Sequence, residues 1–219
     1  MKKTLLFSLL FIIAASTTTQ AQITKGSTLL GGNLSFGQVK LNSDIAAAET
    51  KSSGFNISPA IGIAIKDNLV VGVELGYSTG KQKQVSSNQT ILNIKNQGFT
   101  TGVFIRKYKQ LAKSDFYLFG ESSLKYSNMK QERTEQSPDE FISKTNNVNL
   151  SIKPGLSYAV NKRLHLELGL NNLLSAEYSS TRQTVNQGNA VKQSGFSASA
   201  NISNITNNIS FGVRFLLAK

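Results

Sequence analysis

The chain of 219 residues has no cysteine, no tryptophan, a single histidine and three prolines. Without cysteine there are no disulfide scaffolds, thiolate zinc sites, iron–sulfur clusters, thiol nucleophiles or lipid-bearing N-terminal cysteines. One histidine leaves little from which to build a metal site or a hydrolytic triad. Charge is also scarce. Only 16% of residues are charged, against about 25% in an ordinary soluble domain. Acids are the rarer sign, 12 against 24 bases, for a formal charge of +12. Asn, Ser, Thr and 17 glycines take the place of the missing charges. The length suits one domain or two small ones.

No apolar run reaches the 18 or so residues that a membrane-spanning helix requires. The nearest is Leu5 to Ala15, which follows Lys2 and Lys3 and leads into polar Ser16 to Gln20 and a small-residue exit at Thr19-Gln20-Ala21. That is the layout of a secretory signal peptide, so residues 1–21 are expected to be removed. Removing 21 of the 219 residues leaves 198, starting at Gln22, with a net charge of +10. Residues 22–219 are then a single exported domain, either soluble beyond the cytoplasm or crossing a membrane as strands.

The mature chain is organised on a period of two, the repeat of a strand with one apolar and one polar face. Leu30, Leu34 and Phe36 oppose Gly31, Asn33, Ser35 and Gly37; Phe55, Ile57, Ile61, Ile63 and Ile65 oppose Asn56, Ser58, Ala60, Gly62 and Ala64. Leu69 to Tyr77 and Phe99 to Arg106 continue the alternation. Further segments follow at Phe116 to Tyr126, Val148 to Val160, Leu164 to Asn171 and Asn208 to Leu217. Eight such segments are separated by connections of alternating length. Short turns fall at Lys66-Asp67-Asn68, near Lys109 to Asp115, and at Asn161-Lys162-Arg163. Long polar connections fall at about Val39 to Ser53, Lys81 to Asn96, Asn128 to Asn146 and Ser179 to Gly195. An all-β, eight-stranded antiparallel up-and-down barrel with tight turns at one rim and four long loops at the other gives this rhythm.

Composition of the two phases decides which faces inward. The polar phase carries Gly31, Gly62, Gly72, Gly76, Gly102, Gly155, Gly169 and Gly212, with Ala and Ser between them. Small residues suit the interior of an eight-stranded barrel, which side chains fill. The other phase is a continuous coat of Leu, Ile, Val and Phe, an aggregation surface in water and a fitting wall in lipid. Ten residues at about 3.4 Å each, tilted by about 40°, rise roughly 26 Å, the height of an outer-membrane apolar band. Aromatics gather at its edges: Phe36, Phe55, Tyr77, Phe99 and Tyr126 toward the long-loop rim, Phe116, Tyr158 and Phe215 toward the turn rim.

With the signal, the eight alternating segments, Val71-Gly72-Val73-Glu74-Leu75-Gly76-Tyr77 and the closing Ser210-Phe211-Gly212-Val213-Arg214-Phe215, the chain resembles the small outer-membrane β-barrel proteins of Gram-negative bacteria, the OmpA/OmpX-like group. The resemblance covers essentially the whole mature chain. It implies residence in the cell outer membrane, contact with outer-membrane lipid and insertion by the barrel-assembly machinery. No peptidoglycan-binding domain is expected after the barrel.

An inward polar phase brings Glu74, Arg106, Glu121, Lys125, Lys153, Glu167 and Arg214 into the lumen. Buried charges must pair or stay hydrated. Counting from the turn rim sets Glu74 and Glu121 on either side of the strand that carries Arg106, and Glu167 level with Arg214, which predicts a salt-bridged plug. His165, near the turn rim, is the only candidate base, and no long connection offers a second histidine to it. The acids Glu132, Glu135, Asp139 and Glu140 read as a solvated loop before they read as a cation site. No catalytic group, cofactor or metal site is expected. Lys81, Lys83 and Lys95 in the second long connection and Arg182 and Lys192 in the fourth are candidates for contact with lipid phosphates. The basic residues are too scattered for nucleic acid. The functional expectation is a non-enzymatic outer-membrane barrel with a structural, adhesive or surface-recognition role, meeting an extracellular ligand or host surface through its loops. A small pore or transport accessory is the alternative, and a soluble periplasmic ligand-binding barrel the second.

Overall fold

The computed structural model describes residues 23–43, 48–86, 89–112, 114–135, 140–171, 173–185, 188, 190–200 and 209–217. Residues 1–21, read from sequence as a signal peptide, lie outside them. Ten strand segments carry the chain: β1 (Thr28–Ser43), β2 (Ala48–Lys66), β3 (Leu69–Ser86), β4 (Gln89–Gln110), β5 (Phe116–Glu135), β6 (Glu140–Ala159), β7 (Leu164–Leu170), β8 (Leu174–Val185), β9 (Ala190–Ala200) and β10 (Ile209–Leu217). They form eight staves. β6 pairs with β7 over Gly155–Ala159 and with β8 over Phe141–Ile152, so β7 and β8 are one stave interrupted at residues 171–173. β9 continues along β8, and β10 returns along β7 to pair with β1, making the eighth stave and closing an all-β antiparallel barrel.

The closing seam is short, running from Thr28↔Leu217 to Gly32↔Val213. At its end Gly32 has φ +154°, and a Cβ there would lie 2.4 Å from the Ser58 carbonyl oxygen and 2.8 Å from Pro59 Cα. Gly32 faces Pro59 across β1 and β2, just as Gly120 faces Pro154 across β5 and β6. At the turn rim, Asn68 adopts φ 59° and its N–H donates to the Ile23 carbonyl at 2.8 Å, tucking fully buried Ile23 beneath the barrel.

The apolar phase faces outward. Ile61, Val73 and Leu166 are 48%, 48% and 46% exposed, whereas Ala60, Val70 and His165 are buried. A soluble barrel would reverse this, burying the apolar coat around a dry centre, so the ligand-binding periplasmic reading falls. The four long polar connections also need correction. The strands run on through them, leaving only residues 44–47, 87–88, 136–139 and 186–189 between successive staves. The physical reason is that beyond the outward apolar wall both sheet faces are polar and wet. The apolar contrast that marks a strand then disappears, while cross-strand hydrogen bonding continues.

Candidate functional site

Large side chains fill the turn half of the lumen because the neighbouring staves present glycine to them. A Cβ on Gly155 would meet Phe119 Cζ at 2.3 Å, one on Gly31 would meet Arg214 Cδ at 2.3 Å, and one on Gly169 would meet Lys153 Cε at 2.3 Å. Phe104 lies over Gly62 and Gly72 in the same way. A Gly72→Ala change would also press on the Ile61 carbonyl at 2.4 Å, and backbone cannot swing aside. We expect this variant to lose about 1–3 kcal/mol, the usual cost of overpacking, read as a lower urea midpoint of the folded barrel in lipid.

At the centre of this packing sits Arg106 on β4, with no exposed surface. Its Nε donates to Glu121 Oε2 on β5 at 2.8 Å, and Nη2 lies 2.5 Å from the same oxygen. Its Nη1 crosses the lumen to Glu167 on β7, 2.6 Å from Oε1 and 2.8 Å from Oε2. Glu167 also accepts from Arg214 Nε on β10 at 3.2 Å and from the Tyr108 hydroxyl at 3.0 Å. The guanidinium carbon lies 4.4 Å from the centre of the Phe119 ring, within cation–π range. Four residues from four staves therefore form one buried chain of ion pairs, Glu121–Arg106–Glu167–Arg214. The alternation of acid and base gives each buried charge an opposite neighbour, the condition under which burial is tolerated.

Glu74 is not part of this chain. Its carboxylate accepts from Lys125 Nζ at 2.9 and 3.0 Å, two inward-facing levels nearer the loop rim, beyond Phe104 and Ser123. The residue between them in the register is Gly102 of β4, and a Cβ there would lie 2.8 Å from Lys125 Cγ. Absence of that Cβ lets Lys125 lie across β4 to reach Glu74, which counting heights from the turn rim does not reveal. Lys153 faces the lumen over Gly169 and makes no ion pair among the described residues.

Above the Glu74–Lys125 pair the lumen is polar. A recess of about 350 Å³ is lined by Asn56, Ser58, Thr100, Asn147, Asn149 and Glu177 with that pair at its floor. His165 is buried at the other end. Its Nδ1 is 3.2 Å from Ser157 Oγ and its ring lies 5.9 Å from that of Tyr117. Of the four acids considered as a loop cation site, Glu132 pairs with Lys130 and Glu135 with Arg133, each at 2.5 Å. Asp139 lies outside the described residues, and no cluster of three potential metal-ligating side chains occurs among those described.

The candidate lipid-phosphate contacts lie on strands, not in loops. Lys81 and Lys83 are on β3, Lys95 on β4, Arg182 on β8 and Lys192 on β9, all exposed and all in phase with the lipid-facing residues below them. Lys81 is directly opposite Lys95, and Arg182 directly opposite Lys192.

Among solved structures, Neisserial surface protein A (NspA) is similar at 17% identity, over 87% of this chain and 97% of its own, with a TM-score of 0.43. OprG from Pseudomonas aeruginosa aligns at 12% identity over 90% of this chain and 98% of its own, with a TM-score of 0.47. A major outer membrane protein from Thermus thermophilus aligns at 10% identity over 87% of this chain and 99% of its own, with a TM-score of 0.42. No match is found among curated proteins. The family model described as the outer membrane protein beta-barrel domain matches residues 7–215. With that match across nearly the whole sequence, and a closed barrel whose greasy face is outward, the chain belongs to the outer membrane protein β-barrel family and resides in the outer membrane.

Proposed function

We propose that this barrel is a non-enzymatic, plugged outer-membrane protein that stands in the bilayer as a rigid post and holds four strand-built hairpins outside the cell for structural support or surface recognition. The observation that carries the reading is Arg106. A guanidinium with no exposed surface, tied to Glu121 beside it and to Glu167 on the far wall, spans the narrow lumen with Phe104, Tyr108 and Phe119 packed around it. A permeating ion would have to break charge-assisted bonds in a buried site, where they are strongest. Against catalysis, His165 is buried at the turn rim beside Ser157, away from the hairpins where an outer-membrane substrate arrives. The tight turns face the periplasm, as in bacterial barrels generally, and the extended hairpins are the surface on offer to a ligand or host. Insertion by the barrel-assembly machinery belongs to the same reading.

The test is conductance. The purified, folded barrel in a planar bilayer is expected to show no stable open state, and Arg106→Ala to introduce brief openings. A large, persistent open state in the unaltered protein overturns the plug. The polar recess above Glu74 favours the second reading, a small pore or transport accessory, and that result would establish it. Trypsin added to intact cells should cut the β5–β6 hairpin, which carries Lys130, Arg133 and Lys144; protection of that hairpin reverses the orientation.

A further inference from the structure

The outward face carries a pattern that spans all eight staves. Seven of them place an aromatic residue at the loop edge of the apolar wall: Phe36, Phe55, Tyr77, Phe99, Tyr126, Tyr178 and Phe196; the eighth, β6, has Val148 there. Four positions toward the hairpin from each stands a cation: Lys40, Lys51, Lys81, Lys95, Lys130, Arg182 and Lys192, with Lys144 above Val148. Because the spacing is even, every cation shares the outward phase of the residue beneath it. Four residues of tilted strand rise about 10 Å, the step from the aromatic girdle to the level of headgroup phosphates.

The cross-strand register makes the ring costly without an anion. Lys40 is directly opposite Lys51, Lys81 opposite Lys95, Lys130 opposite Lys144, Lys144 opposite Arg182, and Arg182 opposite Lys192. Like charges directly opposed on one face weaken a sheet. Acids relieve only parts of the ring. Glu49 bridges Lys40 at 3.3 Å and Lys51 at 2.6 Å, and Glu132 holds Lys130. These hydrogen bonds, from Lys51 and from Lys130 respectively, hold the two carboxyls below the ordinary carboxylate range. The run Lys144–Arg182–Lys192 has no ion pair among the described residues.

Two hollows on the same face complete the arrangement. A cleft of about 570 Å³ is lined by Lys40, Lys51, Lys81 and Lys83 with Gln38 and Ser53. Below it on β2 to β5 an apolar groove of about 490 Å³ is lined by Ile57, Leu75, Tyr77, Phe99 and Tyr126. The two hollows are placed so that a lipid with its phosphate in the upper cleft could lay its acyl chains along the lower groove.

We propose that this ring is a binding site for phosphorylated glycolipid of the outer leaflet, with the lysines and Arg182 taking the phosphates and the aromatic girdle and groove taking the acyl chains. The lipid phosphates supply the counter-charge that the opposed cations lack, and they fix the depth of the barrel in the bilayer. The assignment to the outer leaflet rests on the outward orientation of the hairpins; binding itself does not, so lipid binding in micelles and protease access in cells fail independently.

The experiment measures binding of bisphosphorylated lipid A, dephosphorylated lipid A and inorganic phosphate to the folded full chain in neutral detergent. Each ring cation near an anionic surface contributes about fivefold. Neutralising Lys144, Arg182 and Lys192 together to Gln should therefore weaken binding of the phosphorylated lipid about 100-fold. Neutralising Lys107, Lys162 and Arg163 at the turn rim should leave it unchanged. Affinity of the unaltered protein should also fall steeply with salt, a readout that does not depend on the variants folding. Equal binding of phosphorylated and dephosphorylated lipid, equal loss in the turn-rim variant, salt-independent binding, or phosphate bound as tightly as the lipid would each overturn the proposal.

Discussion

Replacing Glu167 with Leu is expected to cost the barrel about 3–5 kcal/mol, the range for breaking a buried ion pair from one side. The magnitude follows from what is left behind. Glu167 is the shared acceptor for Arg106, Arg214 and the Tyr108 hydroxyl. Leu removes all three acceptor contacts, leaving Arg106 with one carboxylate instead of two and stranding Arg214, and neither guanidinium deprotonates in a protein. Arg106 keeps Glu121, and Arg214 has no other carboxylate within reach among the described residues. Glu167→Gln keeps the shape and two acceptor lone pairs, so it should cost less but still lose the charge. The measurement is urea unfolding in lipid vesicles, followed by the shift between folded and unfolded bands in an unheated gel. If the Leu variant unfolds at the same urea concentration as the unaltered barrel, the chain of ion pairs carries no weight in stability. A double change, Glu167→Leu with Arg214→Leu, should recover part of the loss, because a charge is then no longer stranded.

The features of this barrel differ in how plainly the residues announce them, and the differences have physical causes. Inside the membrane a strand touches lipid on one side and a crowded lumen on the other. That contrast is written into the residues as Leu and Ile against Gly and Ser, so both the strands and their sidedness can be read from Ile57 to Ile65 or Val71 to Tyr77 without a structure. Above the headgroups both sides meet water. Segments such as Lys81 to Ser86 or Gln89 to Asn96 then alternate Lys, Gln and Asn with scattered Val and Ile, which reads as loop although the pairing runs from Lys81↔Lys95 to Ser86↔Gln89 with a single register shift between Gln84 and Val85. The interruption at residues 171–173 between β7 and β8 sits in an Asn-Asn-Leu run with no proline or glycine to mark it.

Pairings across the lumen are harder still, since they depend on side-chain reach as well as height. Arg106 with Glu121 follows from adjacent register. Arg106 with Glu167 requires the lumen to be narrow, and Glu74 with Lys125 requires that Gly102 lack a side chain. The ring of cations had a signal that strand-by-strand reading overlooks. Aromatic and cation stand four apart in every stave but β6, in the order aromatic–cation going up a stave and cation–aromatic coming down: Phe36 with Lys40, Lys51 with Phe55, Tyr77 with Lys81, Lys95 with Phe99. Treated as loop residues, the cations lose the register that places them at one height.

A single Val73→Arg change is expected to cost about 2–4 kcal/mol, the range for an arginine on the lipid face near the bilayer midplane. Val73 is the position for this test because it faces outward on β3 midway between Leu69 near the turn rim and Tyr77 at the loop edge. Its register neighbours are Ile61 and Val103, themselves lipid-facing. An arginine there has no carboxylate on its face, and it is too far from either headgroup layer for a full stretch of its side chain to reach water without distorting the bilayer. The control is Tyr77→Arg. Four residues higher on the same face, it sits about 10 Å closer to the phosphates and should cost about 0–1 kcal/mol beyond the lost ring contact with Phe99. The reading is the difference between the two urea midpoints in vesicles, since both variants add the same group and differ chiefly in depth. Equal destabilisation, or a milder effect at Val73, would mean that depth along β3 does not set the cost and that the wall from Leu69 to Tyr77 is not what lies against the acyl chains.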